Sequence, residues 1–421
     1  MEKFEINGGK KLFGEVEISG SKNAVLPIMA ASILAEGKSI IHNVPRLEDV
    51  FTMIKILTYL GANVKFDNQT LEIDSSGINK FDAPYEFVKT MRASISFLGP
   101  LIAKFKKAEF SLPGGCVIGS RPIDLHIKGL QELGADIKIS DGYIVADAEN
   151  GLKGRYIFLG GNFGSSVLAT CNLMCAAVFA QGETIIEFAA CEPEVIDLAL
   201  YLSAMGAKIS GIGSPYLKIE GVKTLKSVEW TVIPDRIETG TFILAGAITS
   251  GKIKVKKCQP YHLGAFLEKI TACGITCEKG KDYIEVSGKS FWQATDIVTL
   301  PYPGFPTDLQ AQMMAFLCLA DGVSVVTEKI FPERFIHVSE LNRLGANIIL
   351  NGATAIIRGV KKFYGAKVMA SDLRASAALV LAGLMAEGKT EVSRIYHLRR
   401  GYENFEKKLQ NLGAEIITGK E

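Results

Sequence analysis

The chain has almost no surplus of charge of either sign. Lys and Arg number 47 against 45 Asp and Glu, so no overall basic field exists to gather nucleic acid, although a local cationic pocket can still hold a small anion. Long apolar runs are missing as well. The longest, Val167–Ala180 and Ala375–Ala386, fall short of the roughly 18 to 20 residues needed to cross a bilayer, and no membrane span is expected. The opening Met1-Glu2-Lys3-Phe4-Glu5-Ile6 lacks the apolar core of a signal peptide, which predicts a cytoplasmic protein. The five histidines are dispersed and the eight cysteines scattered. Cys171, Cys175 and Cys318 lie on apolar helical stretches, where buried free thiols are usual, so no disulfide framework is expected. Cys273 and Cys277 have no second Cys/His pair to complete a tetrahedral site, and no metal is expected. What remains is an ordinary globular composition, 48% hydrophobic and 22% charged over 421 residues, which at ~150 residues per domain suggests two or three domains.

An internal repeat is the strongest positive signal. Leu-Gly-Ala, or a close variant, recurs at Gly61, Gly134, Gly206, Gly274, Gly345 and Gly413, at spacings of 73, 72, 68, 71 and 68 residues. Each glycine follows an amphipathic run and precedes an alternating one, which reads as a glycine-capped helix entering a strand. A second series, Gly37, Gly182, Gly251, Gly322 and Gly388, with Lys106-Lys107 in place of the glycine in the second unit, ends small-residue-rich apolar helices. Each unit therefore holds two helices and several strands. The segments after the Leu-Gly-Ala ends read as hairpins, for example Asp136–Ser140 turning at Asp141-Gly142 into Tyr143–Asp147. Only eight residues follow Gly413, so the sixth unit lacks room for a return strand, and Lys3–Asn7 is predicted to supply it. That makes one domain discontinuous, residues 1–21 plus 233–421, around another of residues 22–232. The fold class expected is α/β: two inside-out α/β barrel domains, each of three repeated units with helices enclosed by sheets.

Equivalent helix starts in a pseudo-symmetric fold tend to gather, and helix N-termini offer free N–H groups to anions. The six starts carry Ser21-Lys22-Asn23, Met91-Arg92-Ala93, Gly164-Ser165-Ser166, Asp235-Arg236, Thr307-Asp308 and Asp372-Leu373-Arg374. Capping explains the Ser, Thr and Asp. It does not explain Lys22, Arg92, Arg236 and Arg374, cations at the positive end of a helix dipole, unless an anion is also present. Together they point to a polyanionic small ligand. The second unit carries an insertion of about four residues, falling within Leu112–Pro122. This Gly-flanked loop, residues 111–122, has a central Cys116 and a following Arg121, the features of a hinged lid with a thiol made reactive by a nearby cation.

On Gly20-Ser21-Lys22-Asn23, Lys89-Thr90-Met91-Arg92-Ala93-Ser94, Leu112-Pro113-Gly114-Gly115-Cys116-Val117-Ile118-Gly119, Pro234-Asp235-Arg236-Ile237-Glu238-Thr239-Gly240, Phe305-Pro306-Thr307-Asp308, Asp372-Leu373-Arg374-Ala375-Ser376 and Arg400-Gly401-Tyr402-Glu403, the chain resembles the UDP-N-acetylglucosamine 1-carboxyvinyltransferases. These are the enolpyruvyl transferases that begin bacterial peptidoglycan synthesis. The resemblance runs over the full length. It implies an active site in the cleft between two domains, with phosphoenolpyruvate and UDP-N-acetylglucosamine as the partners and phosphate as the leaving group.

By that likeness Lys22, Arg121 and Arg400 hold the phosphate and carboxylate of phosphoenolpyruvate, and Asn23, Arg92 and Arg374 line the site. Asp308 binds the sugar hydroxyl and acts as base, and Cys116 is the lid acid and thiol nucleophile that fosfomycin alkylates in the family. Arg121, Pro122, Ile123, Asp124 and Leu125, with Ser166, Val167, Asp308 and Ile330, form the acceptor site. Replacing Asp308 with alanine is expected to leave a folded protein with little turnover. No cofactor is implied, because side chains suffice for addition and elimination; no nucleic acid, membrane or obligate protein partner is implied either. One segment departs from the family: Leu168 stands where the family has glycine, after Gly160-Gly161-Asn162-Phe163-Gly164-Ser165. The paired Ser165-Ser166 resembles the acceptor-phosphate loop of 5-enolpyruvylshikimate-3-phosphate synthase, so a synthase of that kind with another acceptor is the alternative. A non-catalytic nucleotide-sugar-binding paralogue is the second.

Overall fold

The computed structural model describes residues 2–83, 85–89, 91–112 and 123–420. Gly61, Gly134, Gly206, Gly274, Gly345 and Gly413 all take positive φ, from 86° to 111°, the left-handed turn that glycine adopts without a Cβ penalty. At each, the next residue's N–H donates to the carbonyl five residues earlier, as in Ala62 to Leu57 (2.9 Å) and Ala414 to Leu409 (3.0 Å). The repeated tripeptide is thus a repeated helix stop. Lys106 does the same work at φ 63°, where Gly37, Gly182, Gly322 and Gly388 stand in other units. A side chain in that conformation costs about 1 kcal/mol.

The strands form six four-stranded sheets of one topology. In each, an edge strand runs parallel to its neighbour and two antiparallel strands follow. Ile297–Val298 pairs parallel with Val323–Thr327, which pairs antiparallel with Thr354–Arg358, which pairs antiparallel with Asn347–Asn351. The hairpin expected at Asp141-Gly142 forms, with Ser140 opposite Tyr143. In the sixth sheet Glu2–Asn7 lies between Lys389–Ser393 and Glu415–Lys420, with Phe4 opposite Val392 and Ile6 opposite Ile416. Phe4 and Ile6 are fully buried, while Lys3 on the other face pairs with Glu391 at 2.6 Å. The missing return strand of the last repeat is therefore the start of the chain.

Backbone contacts divide the described residues into two compact units, one from the described residues of 1–19 and 234–421, the other from the described residues of 20–233. Each holds three sheets, and each set closes on itself. The sheet of Lys38–His42 takes its parallel edge, Glu229–Thr231, from the end of the third repeat. The sheet of Lys252–Lys256 takes Phe13–Glu17, the strand that follows the N-terminal one.

Inside each ring run the small-residue-rich helices. Arg236–Ile248 and Gln310–Leu317 are buried at every position, Leu373–Gly383 from Arg374 onward, Lys22–Ala31 from Ala24 onward and Val167–Ala177 from Ala169 onward. Helices apolar on all sides belong inside. The second helices bury one face: Glu48–Leu60 buries Val50, Met53, Ile56, Leu57 and Leu60. The fold is thus α/β with helices enclosed by sheets in both units. Among the described residues no helix is long and apolar enough to span a membrane. The second inner helix opens on the longest 3-10 turn at an inner helix start, Arg92–Phe97, with the α-helix beginning only at Leu98; the fifth opens on a shorter one, Thr307–Leu309. Pro100 suits the break, since it has no N–H and its ring would clash with the Ser96 carbonyl in a continuous α-helix, although Pro27 sits within the continuous helix Lys22–Ala31.

Candidate active site

Of the polar residues at the inner helix starts, three are caps. Ser166 accepts from Ala169 N–H, Asp235 from Ile237 and Glu238, and Asp372 from Arg374 and Ala375. Asp308 is not a cap. Its Oδ1 accepts from Arg334 Nη1 at 2.8 Å and its Oδ2 from Arg374 Nη2 at 2.7 Å. The two arginines are 5% and 3% exposed, while the Asp308 side chain keeps 26% of its surface, so the carboxylate is the part of the cluster a ligand can reach. Burial alone would raise its pKa, but Arg374 and Arg334 outweigh that and hold it well below the usual carboxylate range. Asp308 in turn stabilises the buried Arg374 cation against desolvation. Arg374 Nη1 is buried with no hydrogen-bond partner among the described residues, so a strong donor remains for an anionic or carbonyl oxygen.

Arg334 was absent from the residues expected from sequence. It also donates to Thr307 Oγ1 at 2.9 Å. Thr307 in turn donates to Glu328 Oε2 at 2.9 Å, and Glu328 Oε1 accepts from the main-chain N–H groups of Ile330 (2.8 Å) and Phe331 (3.0 Å). Buried Glu328 thereby shapes the turn that carries Ile330. Two close approaches gather the helix starts of this unit. A Cβ at Gly240 would lie 2.5 Å from Leu309, and one at Gly401 would lie 2.5 Å from Leu373. Half-buried Arg400 thus ends a 3-10 turn packed on the helix that carries Arg374.

In the unit of residues 20–233, Lys22 opens the first inner helix and its Nζ lies 3.2 Å from Asp49 Oδ2. Asn23 follows it and is half-buried. The expectation that cations at helix starts demand an external anion is therefore met in part from within: Asp49 serves Lys22 and Asp308 serves Arg374. Asn172, fully buried, accepts from Gly99 N–H at 2.9 Å, which orients its amide so that Nδ2 donates to Ile95 O and to His126 Nδ1. His126 is consequently neutral with its proton on Nε2. Burial, reinforced by the Arg92 charge nearby, takes its pKa down to about 3. Ile123 and Leu125 are half-buried and Asp124 exposed at the start of the same helix. Leu125 would contact a Cβ at Gly161 at 3.0 Å, so it packs beside the loop that leads to Ser166 and Val167.

Since His126 is depressed relative to its ordinary 6.5, the folded state binds fewer protons than the unfolded chain between those values. Its contribution is complete above pH 6.5 and is lost as pH falls toward 3. Comparing thermal unfolding from pH 7 to pH 4, His126→Gln should lose less stability than the parent, by a few kcal/mol at most. Parallel curves for the two proteins would refute the assignment.

Cys116, Arg121 and Pro122 lie outside the described residues. The seven described cysteines are free, and burial pushes their thiols up, Cys258 and Cys277 to about 11 and Cys273 to about 12. None of these has the depressed pKa of a nucleophile. Among the described residues no group of His, Cys, Asp and Glu is arranged to hold a metal.

The family model described as EPSP synthase (3-phosphoshikimate 1-carboxyvinyltransferase) matches residues 6–409. The chain belongs to this family. Within it, the chain is 54% identical over 422 residues to the UDP-N-acetylglucosamine 1-carboxyvinyltransferase of Geotalea uraniireducens (strain Rf4), covering 100% of both chains. It is also 54% identical over 416 residues to the protein of the same name from Methylacidiphilum infernorum (isolate V4), covering 99% of this chain and 98% of that one. Among solved structures, the enolpyruvyl transferase NikO from Streptomyces tendae superposes with a TM-score of 0.91 at 23% identity, covering 99% and 98% of the two chains. EPSP synthase from Acinetobacter baumannii does so with a TM-score of 0.78 at 16% identity, covering 100% of both. These two likenesses place the chain in the family fold.

Proposed function

We propose that this chain transfers the enolpyruvyl group of phosphoenolpyruvate to the 3-hydroxyl of UDP-N-acetylglucosamine and releases phosphate, the first committed step of peptidoglycan synthesis. The observation that carries this reading is identity of 54% along the whole chain to enzymes of that name, an extent that leaves the shikimate acceptor and the non-catalytic paralogue without support. The reaction needs a proton delivered to C3 of phosphoenolpyruvate and attack of the sugar oxygen on C2. The C3 proton is then lost as the C2–O bond to phosphate breaks. Charge compensation from side chains serves each step.

In this reading Lys22, Arg121 and Arg400 hold the phosphate and carboxylate, suited to an ammonium point charge and forked guanidinium groups. Asn23, Arg92 and Arg374 complete the donor surroundings. Arg121, Pro122, Ile123, Asp124, Leu125, Ser166, Val167 and Ile330 receive the nucleotide sugar, and Cys116 protonates C3. Asp308, gripped by Arg334 and Arg374, is a weak base at rest. It orients the hydroxyl and takes its proton late, when C–O bond formation has made that proton acidic. A cytoplasmic site of action fits these substrates.

Phosphate release from purified protein tests the reading. Mixing phosphoenolpyruvate with UDP-N-acetylglucosamine should release phosphate, and replacing the sugar nucleotide with shikimate 3-phosphate should not. Fosfomycin should add one alkyl group per chain, and Cys116→Ser should abolish that adduct. Turnover with shikimate 3-phosphate alone, or with neither acceptor, would overturn the assignment.

A further inference from the structure

Four buried polar side chains meet at the centre of the unit that carries Asp308. Three come one each from its inner helices: Thr241 from Arg236–Ile248, Gln312 from Gln310–Leu317 and Arg374 from Leu373–Gly383. The fourth is Tyr402, two residues past Arg400. Thr241 and Gln312 are 0% exposed and Tyr402 is 2% exposed. Proton accounting fixes the direction of each bond. The Thr241 hydroxyl donates to the Ile237 carbonyl at 2.8 Å, so the 2.8 Å bond between Thr241 and Tyr402 is donated by the phenol. Gln312 Nε2 then donates to the phenol oxygen at 3.1 Å and to the Asp308 main-chain carbonyl at 3.0 Å. The reverse amide orientation would set carbonyl against carbonyl. Arg374 lies over the Tyr402 ring, its guanidinium carbon 5.6 Å from the centroid, and Phe405 braces the ring from 4.8 Å.

Tyr402 therefore touches the Asp308–Arg374 pair from two sides, through Gln312 to the Asp308 main chain and through its ring face to the Arg374 guanidinium. We propose that Tyr402 is a positioning residue for enolpyruvyl transfer, its hydroxyl tying two inner helices together and its ring face meeting the third, in the relation that aims the Asp308–Arg374 pair. The inference rests on the transferase reading above. Both hydroxyls of this node are hydrogen-bonded, while Gln312 Oε1 and Arg374 Nη1 have no partner among the described residues. Buried bonds of this kind favour one arrangement of the helices they join, and small displacements of reacting groups are costly in rate. The hydrogen-bonded hydroxyl, rather than the aromatic bulk, is the feature a packing role leaves unexplained.

Tyr402→Phe keeps the ring over Arg374 and against Phe405 and removes only the hydroxyl. The charged groups facing Asp308 are Arg374 and Arg334; Asp235 faces Arg374 and Tyr402, and Glu328 stands behind Thr307. With the parent protein turning over normally, the variant should lose about tenfold in kcat, with KM for UDP-N-acetylglucosamine changed less than about twofold. The acidic limb of its kcat profile should move to higher pH as Asp308, no longer held through Gln312, shifts away from Arg374. Thr241→Val, which deletes the other end of the same bond, should reproduce both changes, and the double variant should be no worse than either single one. A lowered melting temperature with parental kcat and parental acidic limb, in either variant, would overturn the positioning role. An inactive parent would instead overturn the transferase reading, and this inference with it.

Discussion

Asp308→Asn should lower kcat for phosphate release by 100-fold or more, the order expected when a group that handles a substrate proton loses its charge. An asparagine keeps the shape of the carboxylate, but its amide presents a donor to one of two guanidinium groups that can only donate. Arg334 or Arg374 then loses its acceptor while remaining buried, so folding stability should also fall, by about 3 kcal/mol. The alanine variant, expected from sequence to be a folded and inactive protein, is the harsher change, because it sets two buried cations side by side with nothing between them. The sign of the pH dependence follows from the same geometry. Asp308 is held well below its ordinary 3.8, so its stabilising effect is complete above that value and fades only as pH falls further. Urea unfolding at pH 7 and at pH 3 should therefore separate parent and variant more at the higher pH. Near-parental turnover in Asp308→Asn would remove the carboxylate charge from the mechanism.

Lys408→Met should be the most destabilising change away from the reacting groups. Glu238 is 2% exposed, and its Oε1 lies 2.6 Å from Lys408 Nζ, which also donates to Ser19 Oγ at 2.7 Å. Glu238 Oε2 accepts from the Ser19 N–H at 2.8 Å. Burial raises the Glu238 pKa even with the lysine present. Without the lysine the carboxyl must either stay charged and unpaired or take up a proton, at a cost of about 3 to 5 kcal/mol. A folded-state pKa raised above the unfolded one means that stability is favoured at low pH and lost as pH rises. The variant should therefore be hurt more at pH 8 than at pH 5 in urea unfolding monitored in the unit that holds Glu238. An equal loss at both values would place the cost in packing instead.

The frame of the molecule was legible because it rests on local chemistry. A glycine that must adopt positive φ announces a helix stop wherever it recurs, and a last repeat too short for its hairpin points to the other end of the chain for a partner. Charge partnerships were harder. Lys22 and Arg374 read as cations awaiting an anion because their carboxylates are 27 and 66 residues away in sequence, and no spacing rule links them. Arg334, in the unremarkable Pro332-Glu333-Arg334-Phe335, was missed, yet the repeat held a signal for it. Asp49, Glu194, Arg334 and Arg400 each lie seven residues beyond the end of their unit's strand, at His42, Glu187, Thr327 and Ser393. Aligning the units on those strands, rather than on helix ends alone, marks a recurrently charged position, which meets an inner helix start in two units, Asp49 at Lys22 and Arg334 at Asp308.

The seat of the first strand, Glu2–Asn7, between Lys389–Ser393 and Glu415–Lys420 has a consequence for biogenesis. A nascent chain leaves the ribosome N-terminus first, so this segment emerges some four hundred residues before its neighbours exist. The inserted unit can complete its sheets during translation, while the surrounding one must wait for Glu415–Lys420. Until then an alternating strand with both edges unpaired is exposed, the kind of segment that chaperones capture.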